Sequence, residues 1–472
     1  MSYLILLIAY SLAQIALGVW IGRRVRSASD FFVAGRSLGP GLLFGTMLAA
    51  NIGAGSTVGA TGLGYTNGLS AVWWVGSAAL GNFVLAFWVG PAMRRAAAAH
   101  DFRTVGDFLE FRFGVEVRTT IAALLWVGSI FILAGQLIAI ATILNAAVGL
   151  PGPAGCIVGG VLITIYFTAG GLLTSAWVNV VQLTVKFLGF AIALPLALSG
   201  VGGWSTLRAF HPTPDYWNLW SSGQSGLILL AVLGPAFVVS PGLLQKIYGA
   251  RDDRAVRIGV GLNALGLAVY AMVPVVLGMV ARMRFPDLDS ELLALPSVLL
   301  HAVPPAVGGI GLAAVFSAEL SSADAVLFML TTSLSQDFYR RFIDPNASEQ
   351  RMLRITRLTA IVAGVLGVGV ALAAASIVTV LSIFYVLMGV GLFVPILSGL
   401  YIRRAGSPEV MGAIVAGVGA AAIRQFVFGG VPLFGFTPPM AGLAAASATF
   451  TMLLLFRGGS SHGSAAPSRP QR

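Results

Sequence analysis

The sequence has little charge for its length: only 10% of its 472 residues are Asp, Glu, Lys or Arg, whereas 57% are hydrophobic. A soluble domain ordinarily carries about 25% charged residues. So few charges leave too little polar surface to face water, which excludes a soluble globular protein. Apolar runs of about 20 residues recur along the chain, each long enough to cross a hydrocarbon core of about 30 Å. The sequence therefore predicts an all-α polytopic protein that is embedded in a lipid bilayer.

Residues that several other classes of protein need are missing as well. The single cysteine, Cys156, lies in an apolar run, which excludes a disulfide framework and a cysteine-based metal site. Neither the phosphate-binding G-x-x-x-x-G-K-[ST] motif nor the metal-binding H-E-x-x-H motif occurs, which argues against an ATP-driven pump or a membrane enzyme. The net charge of +11 comes from short basic clusters between apolar runs, a topology signal rather than a nucleic-acid surface. We expect no enzymatic activity and no nucleic-acid partner, and the oligomeric state stays open.

The apolar runs predict thirteen transmembrane helices: a lead helix near residues 3–22, ten core helices and two trailing helices. Core helices 1 to 10 are expected near 40–66, 71–93, 119–148, 154–170, 173–199, 225–246, 257–281, 306–335, 355–374 and 378–402. Loops on the inner side of a membrane are enriched in Lys and Arg. Most of the 28 basic residues, Lys246 among them, fall in inner segments if the amino terminus is outside. The sequence thus predicts a multi-pass protein of a prokaryotic plasma membrane with a cytoplasmic carboxyl terminus.

The core helices divide into two repeats of five. Core helix 1 contains Asn51–Ser56 and core helix 6 contains Ser240–Gly242, so each has Gly or Pro where transporter helices break at mid-membrane. An odd number of helices per repeat inverts the second copy. The predicted organisation is a lead helix with an inner loop (1–37), a first repeat (38–200), an outer loop (201–224), an inverted repeat (225–402), two trailing helices (403–456) and a disordered cytoplasmic tail (457–472).

Core helix 8 carries a pattern that favours a sodium site. The adjacent residues Ser321 and Ser322 project about 100° apart, so their hydroxyls can flank one point beside the helix. Carbonyl groups released by the break in core helix 1, around Ala49 and Ile52, would supply further oxygen ligands. Intramembrane serines also bond to helix backbones, so the pattern leaves both interpretations open.

Three ionisable residues are predicted at membrane depth: Lys186, Glu319 and Asp324. A charge at the centre of a bilayer costs roughly 2.5–3.5 kcal/mol on insertion scales, so a charge without a role is disfavoured. If Asn179 lies level with Asp324, the helical rise places Lys186 about 10 Å and Glu319 about 7.5 Å further out, where they can pair. The pair is either structural or part of proton coupling, and Asn179 and Asp324 are candidates for a second ion.

Polar and aromatic side chains near the two breaks are candidates for contact with a solute, although helix–helix hydrogen bonding is an equal alternative for any one of them. These candidates are Asn51, Ser56, Gln136, Phe237, Ser240 and Gln245.

Several segments together resemble the solute:sodium symporter family, over essentially the whole chain and in the same order. They are Asp30–Gly39, Ala49–Ile52, Gly170–Gly171, Trp177–Gln182, Ser321–Ser322 and Gln336–Tyr339. The resemblance implies a leucine-transporter-type fold, a 5+5 inverted repeat that works by alternating access, with the solute next to both breaks. It also implies a sodium site built from the backbone carbonyls of Ala49, Ile52 and Ala318 and the hydroxyls of Ser321 and Ser322.

Some positions depart from the family pattern. Asn179 stands where many members have Asp, and Asp324 where some have a serine of a second sodium site. Ser56 replaces the glutamine of sugar transporters, which argues weakly against a sugar, and Lys186 matches no family ligand. The leading hypothesis is symport of sodium with a small polar or anionic organic solute. The alternatives are a proton-coupled transporter that uses Lys186, Glu319 and Asp324, and a transporter-like sensor or channel.

Overall fold

The computed structural model describes residues 2–22, 33–168, 171–221, 226–374, 376–429 and 436–460. These residues form helices joined by short turns, with one isolated bridge between Leu38 and Ala250. The α-helices are α1 (Ser2–Gly22), α2 (Pro40–Asn51), α3 (Ala60–Asn67), α4 (Val72–Val84), α5 (Gly90–His100), α6 (Val105–Phe113), α7 (Val115–Val148), α8 (Gly152–Thr168), α9 (Gly171–Ser199), α10 (Gly203–Ala209), α11 (Gly226–Val238), α12 (Pro241–Tyr248), α13 (Asp253–Tyr270), α14 (Met272–Arg284), α15 (Ala294–Ser297), α16 (Pro305–Thr332), α17 (Glu349–Ala373), α18 (Ile377–Tyr401), α19 (Ser407–Phe426) and α20 (Pro438–Ser460). Single π-helical turns or longer π segments occur at Gly55–Gly59, Leu85–Val89, Val298–Ala302 and Ser333–Ile343.

The helices match the predicted spans closely. Ten described helical stretches are long and apolar enough to cross a membrane, and three shorter apolar helices accompany them, whereas the count of thirteen spans stays a prediction. Core helices 1 to 10 correspond to α2 with α3, α4 with α5, α7, α8, α9, α11 with α12, α13 with α14, α16, α17 and α18. Residues 30–32 of the family segment, Gly170 and the predicted tail beyond residue 460 lie outside the described residues.

The packing of the core helices has the symmetry of a duplicated unit. Core helix 1 packs along core helix 7, and core helix 6 packs along core helix 2. In the same way, core helix 5 packs along core helix 8, and core helix 10 along core helix 3. If each core helix is replaced by the helix five places away in the order, the contact between helices 1 and 7 becomes the contact between helices 6 and 2. In the same way, the contact between helices 5 and 8 becomes the contact between helices 10 and 3. Two inverted repeats produce this relation, and the substrate and ion sites of such transporters lie at the interface between the repeats.

Both predicted helix breaks are present. The first follows α2: Ile52 is extended (φ −94°, ψ 91°), and the chain re-enters a helix at Gly55. The second follows α11: Ser240 leaves helical geometry (φ −54°, ψ 117°), and Pro241 begins α12 at a position where a missing N–H is harmless. Glycine is required at Gly53, because a Cβ there would lie 2.1 Å from the Ser322 hydroxyl. Core helices 1 and 8 therefore meet directly at the first break.

A buried ion-pair network joins the short helix α6 to the bundle. Arg118, at the start of α7, lies 2.7 Å from Asp337, 3.0 Å from Asp107 and 2.6 Å from Glu110. Thr104 caps α6 and also donates a hydrogen bond of 2.6 Å to Asp337, in the π-helical continuation of α16. The network connects core helices 3 and 8 at the end of the bundle that holds α6.

Candidate cation site and solute cavity

Oxygen atoms from the broken core helix 1 and from core helix 8, which faces it, converge beside the first break. Gly53 N–H donates to the Ser56 hydroxyl at 3.0 Å, so the Ala49 carbonyl loses its usual helical partner. The Ser321 hydroxyl of α16 lies 2.9 Å from that carbonyl. Because Ala49 and Ile52 lie at the C-terminal end of α2, the partial negative charge of the helix dipole adds to these oxygens. This arrangement is suited to a cation.

The ammonium of Lys186 lies among these oxygens. Its Nζ donates to the carbonyls of Ala49 at 2.6 Å and Ile52 at 2.9 Å, and to the Ser321 hydroxyl at 2.6 Å. Lys186 is 1% exposed. A lysine ammonium has three N–H donors, and here each has an acceptor. The Lys186 amine is therefore fully hydrogen-bonded at the position where the sequence predicted sodium.

The five predicted sodium ligands are not all equivalent in the structure. Ala49, Ile52 and Ser321 contact the lysine directly, whereas the Ala318 carbonyl accepts a hydrogen bond of 3.0 Å from Ser321. Ser322 turns toward the break and donates to the Ala50 carbonyl at 2.8 Å. Lys186 was not expected in this group from the sequence. A signal was available: Lys186 follows Asn179 by about two helical turns and so shares its inward face.

Lys186 and Glu319 act on one another electrostatically, as the predicted pairing requires, but no direct ion pair joins these two described residues. Glu319 is buried on α16, and its Oε1 accepts a hydrogen bond of 2.7 Å from the Thr57 hydroxyl. Its Oε2 has no hydrogen-bond partner among the residues that the structure describes. The lysine stem reaches the carbonyls of the broken helix instead, because three acceptors there satisfy the ammonium completely.

A second buried polar cluster involves the predicted pair Asp324 and Asn179. The Asp324 carboxylate accepts a hydrogen bond from the Ser175 hydroxyl, and Asn179 Nδ2 donates to Thr46 at 3.0 Å and to Ser175 at 3.2 Å. Asn179 Oδ1 has no partner within the described part of the chain. The structure thus brings Asp324 and Asn179 into one cluster through Ser175, as expected for residues on facing helices.

Lys246 occupies a position that the charge pattern assigned incorrectly. The charge pattern predicted that Lys246 belongs to the basic residues of an inner segment. In the structure its side chain is buried, in the last turn of α12. Its Nζ donates to the Thr46 hydroxyl at 3.1 Å, beside the cluster of Asp324 and Asn179. The segment that follows the second break folds inward as a short helix, and this carries the lysine into the bundle.

A cavity lies where the two broken helices meet, lined by core helices 1, 2, 3, 6, 7, 8 and 10. Five of the six predicted solute contacts line it: Asn51, Ser56, Gln136, Phe237 and Ser240. Gln245 is buried on α12 and is not among the lining residues. Three further lining residues were not predicted from the sequence: Trp74 and Tyr385, which contribute aromatic surfaces, and Lys246, which contributes a cation.

Several of the polar lining groups also cap the first break. Gln136 Oε1 accepts from the Ala54 amide at 2.9 Å, and the Ser56 hydroxyl donates to the Asn51 carbonyl at 2.9 Å. The Asn51 side chain donates to Asn263 at 3.1 Å. These bonds satisfy the backbone and amide groups that the interrupted helix exposes inside the membrane, where an unpaired polar group is costly. A solute in the cavity would meet the same side chains.

The fold and the sequence both relate this chain to known transporters. The sequence profile of the sodium:solute symporter family matches residues 31–418. The chain belongs to the sodium:solute symporter family. It is 26% identical to the high-affinity choline transporter 1 of Drosophila melanogaster, over 92% of this chain and 71% of that protein. It is also 26% identical to the sodium/pantothenate symporter of Escherichia coli, over 87% of this chain and 88% of that protein.

Among solved structures, a sodium-coupled sialic acid symporter in a substrate-bound, outward-open state superposes with a TM-score of 0.82 at 18% identity, covering 97% of this chain and 98% of that one. This likeness confirms the predicted leucine-transporter-type fold. Family membership makes the chain a multi-pass membrane transporter that couples a small solute to sodium. The prediction of a sodium symporter is confirmed at this level.

Proposed function

We propose that this symporter carries a small polar or anionic organic solute through the cavity between the two helix breaks by alternating access. The observation that supports this proposal is the cavity itself, which is bounded by both broken helices and contains polar groups beside aromatic walls. Helix breaks near mid-membrane, with released backbone groups facing a cavity, are where transporters of this type hold solute and ion. The protein is oriented with its amino terminus outside and its carboxyl terminus in the cytoplasm of a prokaryotic cell.

Sodium binds at the oxygens of Ala49, Ile52, Ala318, Ser321 and Ser322. The first, second and fourth of these already surround a cation of the protein, the Lys186 ammonium. A position that satisfies an ammonium with carbonyl and hydroxyl oxygens also provides the ligands that transporters use for sodium. Asp324 and Asn179 form a neighbouring polar cluster that is the candidate for a second ion.

The charge of Lys246 favours a solute with a carboxylate or a similar anionic group. Its ammonium lines the cavity and donates to one acceptor among the described residues, the Thr46 hydroxyl, so it retains donors for a solute. Asp324 lies close enough to act electrostatically on Lys246, which limits the net positive charge of the cavity. A small solute with one anionic and one polar end fits this arrangement better than a sugar.

Uptake into proteoliposomes tests the coupling ion. One condition imposes a sodium gradient at constant pH, and the other imposes a pH gradient without sodium. Uptake driven by sodium supports the proposal, and uptake indifferent to sodium contradicts it.

A panel of amino acids, carboxylates, vitamins and sugars, tested for thermal stabilisation with and without sodium, identifies the solute class. Lys246→Gln should then weaken binding of anionic solutes by about 10- to 100-fold, because a hydrogen bond to a charged group contributes about 1.5–3 kcal/mol. The adjacent variant Gln245→Leu serves as the matched control, since Gln245 is buried outside the cavity lining. Equal losses in the two variants would argue against an anion contact at Lys246.

Proton coupling is the second candidate, and one observation favours it. The Lys186 ammonium occupies the predicted sodium position, so a titratable group stands where the driving ion is expected. Uptake driven by a pH gradient in the absence of sodium would establish this alternative.

A further inference from the structure

A chain of hydrogen bonds connects the solute cavity to a buried carboxylate. Lys246, the one charged residue among the described residues that line the cavity, donates from Nζ to the Thr46 hydroxyl at 3.1 Å. Asn179 Nδ2 donates to the same hydroxyl at 3.0 Å and to Ser175 at 3.2 Å. The Ser175 hydroxyl donates in turn to the carboxylate of Asp324. The chain crosses core helices 6, 1, 5 and 8, so it joins the cavity to the cluster that is the candidate for a second ion.

Lys246 and Asp324 compensate one another's charge across this chain. Each acts electrostatically on the other, yet no direct ion pair joins these two described residues. Both side chains are buried, where charges are screened much less than at the surface. A cation that approaches Asp324 is therefore repelled by the nearby ammonium. In the solute-free protein, the carboxylate is a weak ligand for an external cation.

The surroundings of Asp324 include a second oxygen that is suited to a cation. Asn179 is fully buried, and its amide N–H groups are directed at Thr46 and Ser175. Its Oδ1 has no hydrogen-bond partner within the part of the chain that the structure describes. A buried acceptor without a partner is costly, and hard cations take carboxylate and amide oxygens as ligands. A cation bound at Asp324 would satisfy this amide oxygen.

We propose that Lys246 keeps the cation site of Asp324 and Asn179 weak until an anionic solute takes over the lysine as its counter-ion. The proposal rests on the solute cavity and the second-ion candidate of the proposed function. Lys246 and Asp324 keep their charges throughout. The solute carboxylate pairs with the lysine, and the released aspartate binds sodium together with the Asn179 amide oxygen. One internal pair of charges becomes two pairs, so solute and sodium each strengthen the binding of the other.

The position of Lys246 allows this change of partner. An ammonium has three N–H donors, and one of them is directed at Thr46, so two remain for a carboxylate in the cavity. Asp324 does not line the cavity, which keeps the bound anion away from the aspartate. The lysine therefore stands between the two negative charges and can compensate either.

Sodium binding to the purified full-length protein at one fixed pH, without solute, tests whether Lys246 weakens the site. Affinity is measured by thermal shift in chloride salts at constant ionic strength. Lys246→Gln, which keeps a donor for Thr46, and Lys246→Met should each bind sodium at least about tenfold more tightly than the wild type, because a repelling charge is gone from a buried site. Lys246→Arg keeps the charge and should match the wild type. Gln245→Leu, on the same helix, is the matched control.

Two double variants locate the gain. Lys246→Gln combined with Asp324→Asn should show no gain, because the carboxylate that binds the cation is replaced. Lys246→Gln combined with Ser321→Ala should keep the gain, since Ser321 belongs to the other cation position. A purely structural role of the lysine would lower stability in Lys246→Gln but would not tighten sodium binding.

Replacing chloride by acetate as the counter-ion tests whether a carboxylate activates the site. In the wild type, sodium affinity should be about 5- to 150-fold higher in saturating acetate than in chloride, the usual range for coupling between two sites. Lys246→Gln and Asp324→Asn should show no such difference. If no Lys246 variant folds, the acetate effect in the wild type and in Asp324→Asn decides alone.

The contrary results are distinguishable. Wild-type sodium affinity in folded Lys246→Gln, or a gain that survives Asp324→Asn, would refute the inference and leave the solute cavity and the cation position at Ser321 intact. A wild type that binds sodium equally in acetate and chloride would refute activation by an anion. Absence of sodium binding by every folded protein would refute the sodium coupling of the proposed function as well.

Discussion

Replacing the buried carboxylate Asp337 by its neutral isostere asparagine should loosen helix α6 from the bundle. Asp337 is 1% exposed and receives hydrogen bonds from Arg118 at 2.7 Å and from Thr104 at 2.6 Å. The Asp337→Asn change preserves shape and an amide oxygen for Thr104, but it removes the charge opposite Arg118. The guanidinium then depends on Asp107 and Glu110, which are about one quarter exposed at 23% and 24%.

The size of the effect follows from the burial of the pair. Removing one partner of a buried ion pair costs about 3–5 kcal/mol when the other is left uncompensated. Arg118 keeps two carboxylates, so we expect the lower bound, about 3 kcal/mol. At about 1.4 kcal/mol for each factor of ten, the population of molecules with α6 released should increase by roughly 100-fold.

Hydrogen–deuterium exchange of the α6 amides measures this population directly, since exchange follows local opening. The control is Arg95→Gln, which removes a surface ion pair with Asp253. The Arg95 side chain is 57% exposed, and a surface ion pair contributes about 0–1 kcal/mol. We expect α6 exchange to accelerate by about two orders of magnitude in Asp337→Asn and to remain within about fivefold of wild type in the control. Unchanged exchange in Asp337→Asn, with unchanged thermal stability, would refute the assignment of the network as the attachment of α6.

Two further predictions concern the first helix break. Ser321→Ala and Ser322→Ala should each weaken sodium binding more than solute binding, with about a tenfold loss of sodium affinity for Ser321→Ala, because the Ser321 hydroxyl shares the cation position with Ala49. Sodium and solute titrations of both variants measure the two effects, and equal losses of both ligands would contradict the assignment. Gly53→Ala should abolish uptake and lower thermal stability, since the new Cβ would lie 2.1 Å from the Ser322 hydroxyl. In the control Gly41→Ala, the new Cβ meets no atom within 4 Å, so this variant should be tolerated. Normal uptake by Gly53→Ala would show that the break does not need this close approach.

Much of the architecture could be predicted from local sequence. The apolar runs fixed the positions of the spans because a membrane requires about 20 apolar residues per crossing. The breaks at Asn51–Ser56 and Ser240–Gly242 were predictable because Gly and Pro interrupt helices wherever the surroundings satisfy the freed backbone groups. The convergence of Ala49, Ile52 and Ser321 followed from the family pattern, which the structure reproduces around Lys186.

The ends of long side chains could not be predicted in the same way. Helical rise put Lys186 within reach of Glu319, but rise alone does not determine which of several acceptors a flexible stem chooses. Lys246 was assigned to an inner segment because charge patterns describe loops, and only the inward course of α12 places it beside Thr46. Gln245, its neighbour, is buried on the same short helix and is not among the residues that line the cavity.

The sequence by itself determined a duplicated helical transporter with two interrupted helices, because hydrophobic length and backbone-breaking residues act locally. The tertiary structure decided which cation stands at the first break. Lys186 is separated from Ala49 and from Ser321 by more than one hundred residues of chain, and the three meet only through the offset and rotation of α2, α9 and α16. Those parameters come from packing between helices, and they turn a lysine without a family role into an occupant of the ion position.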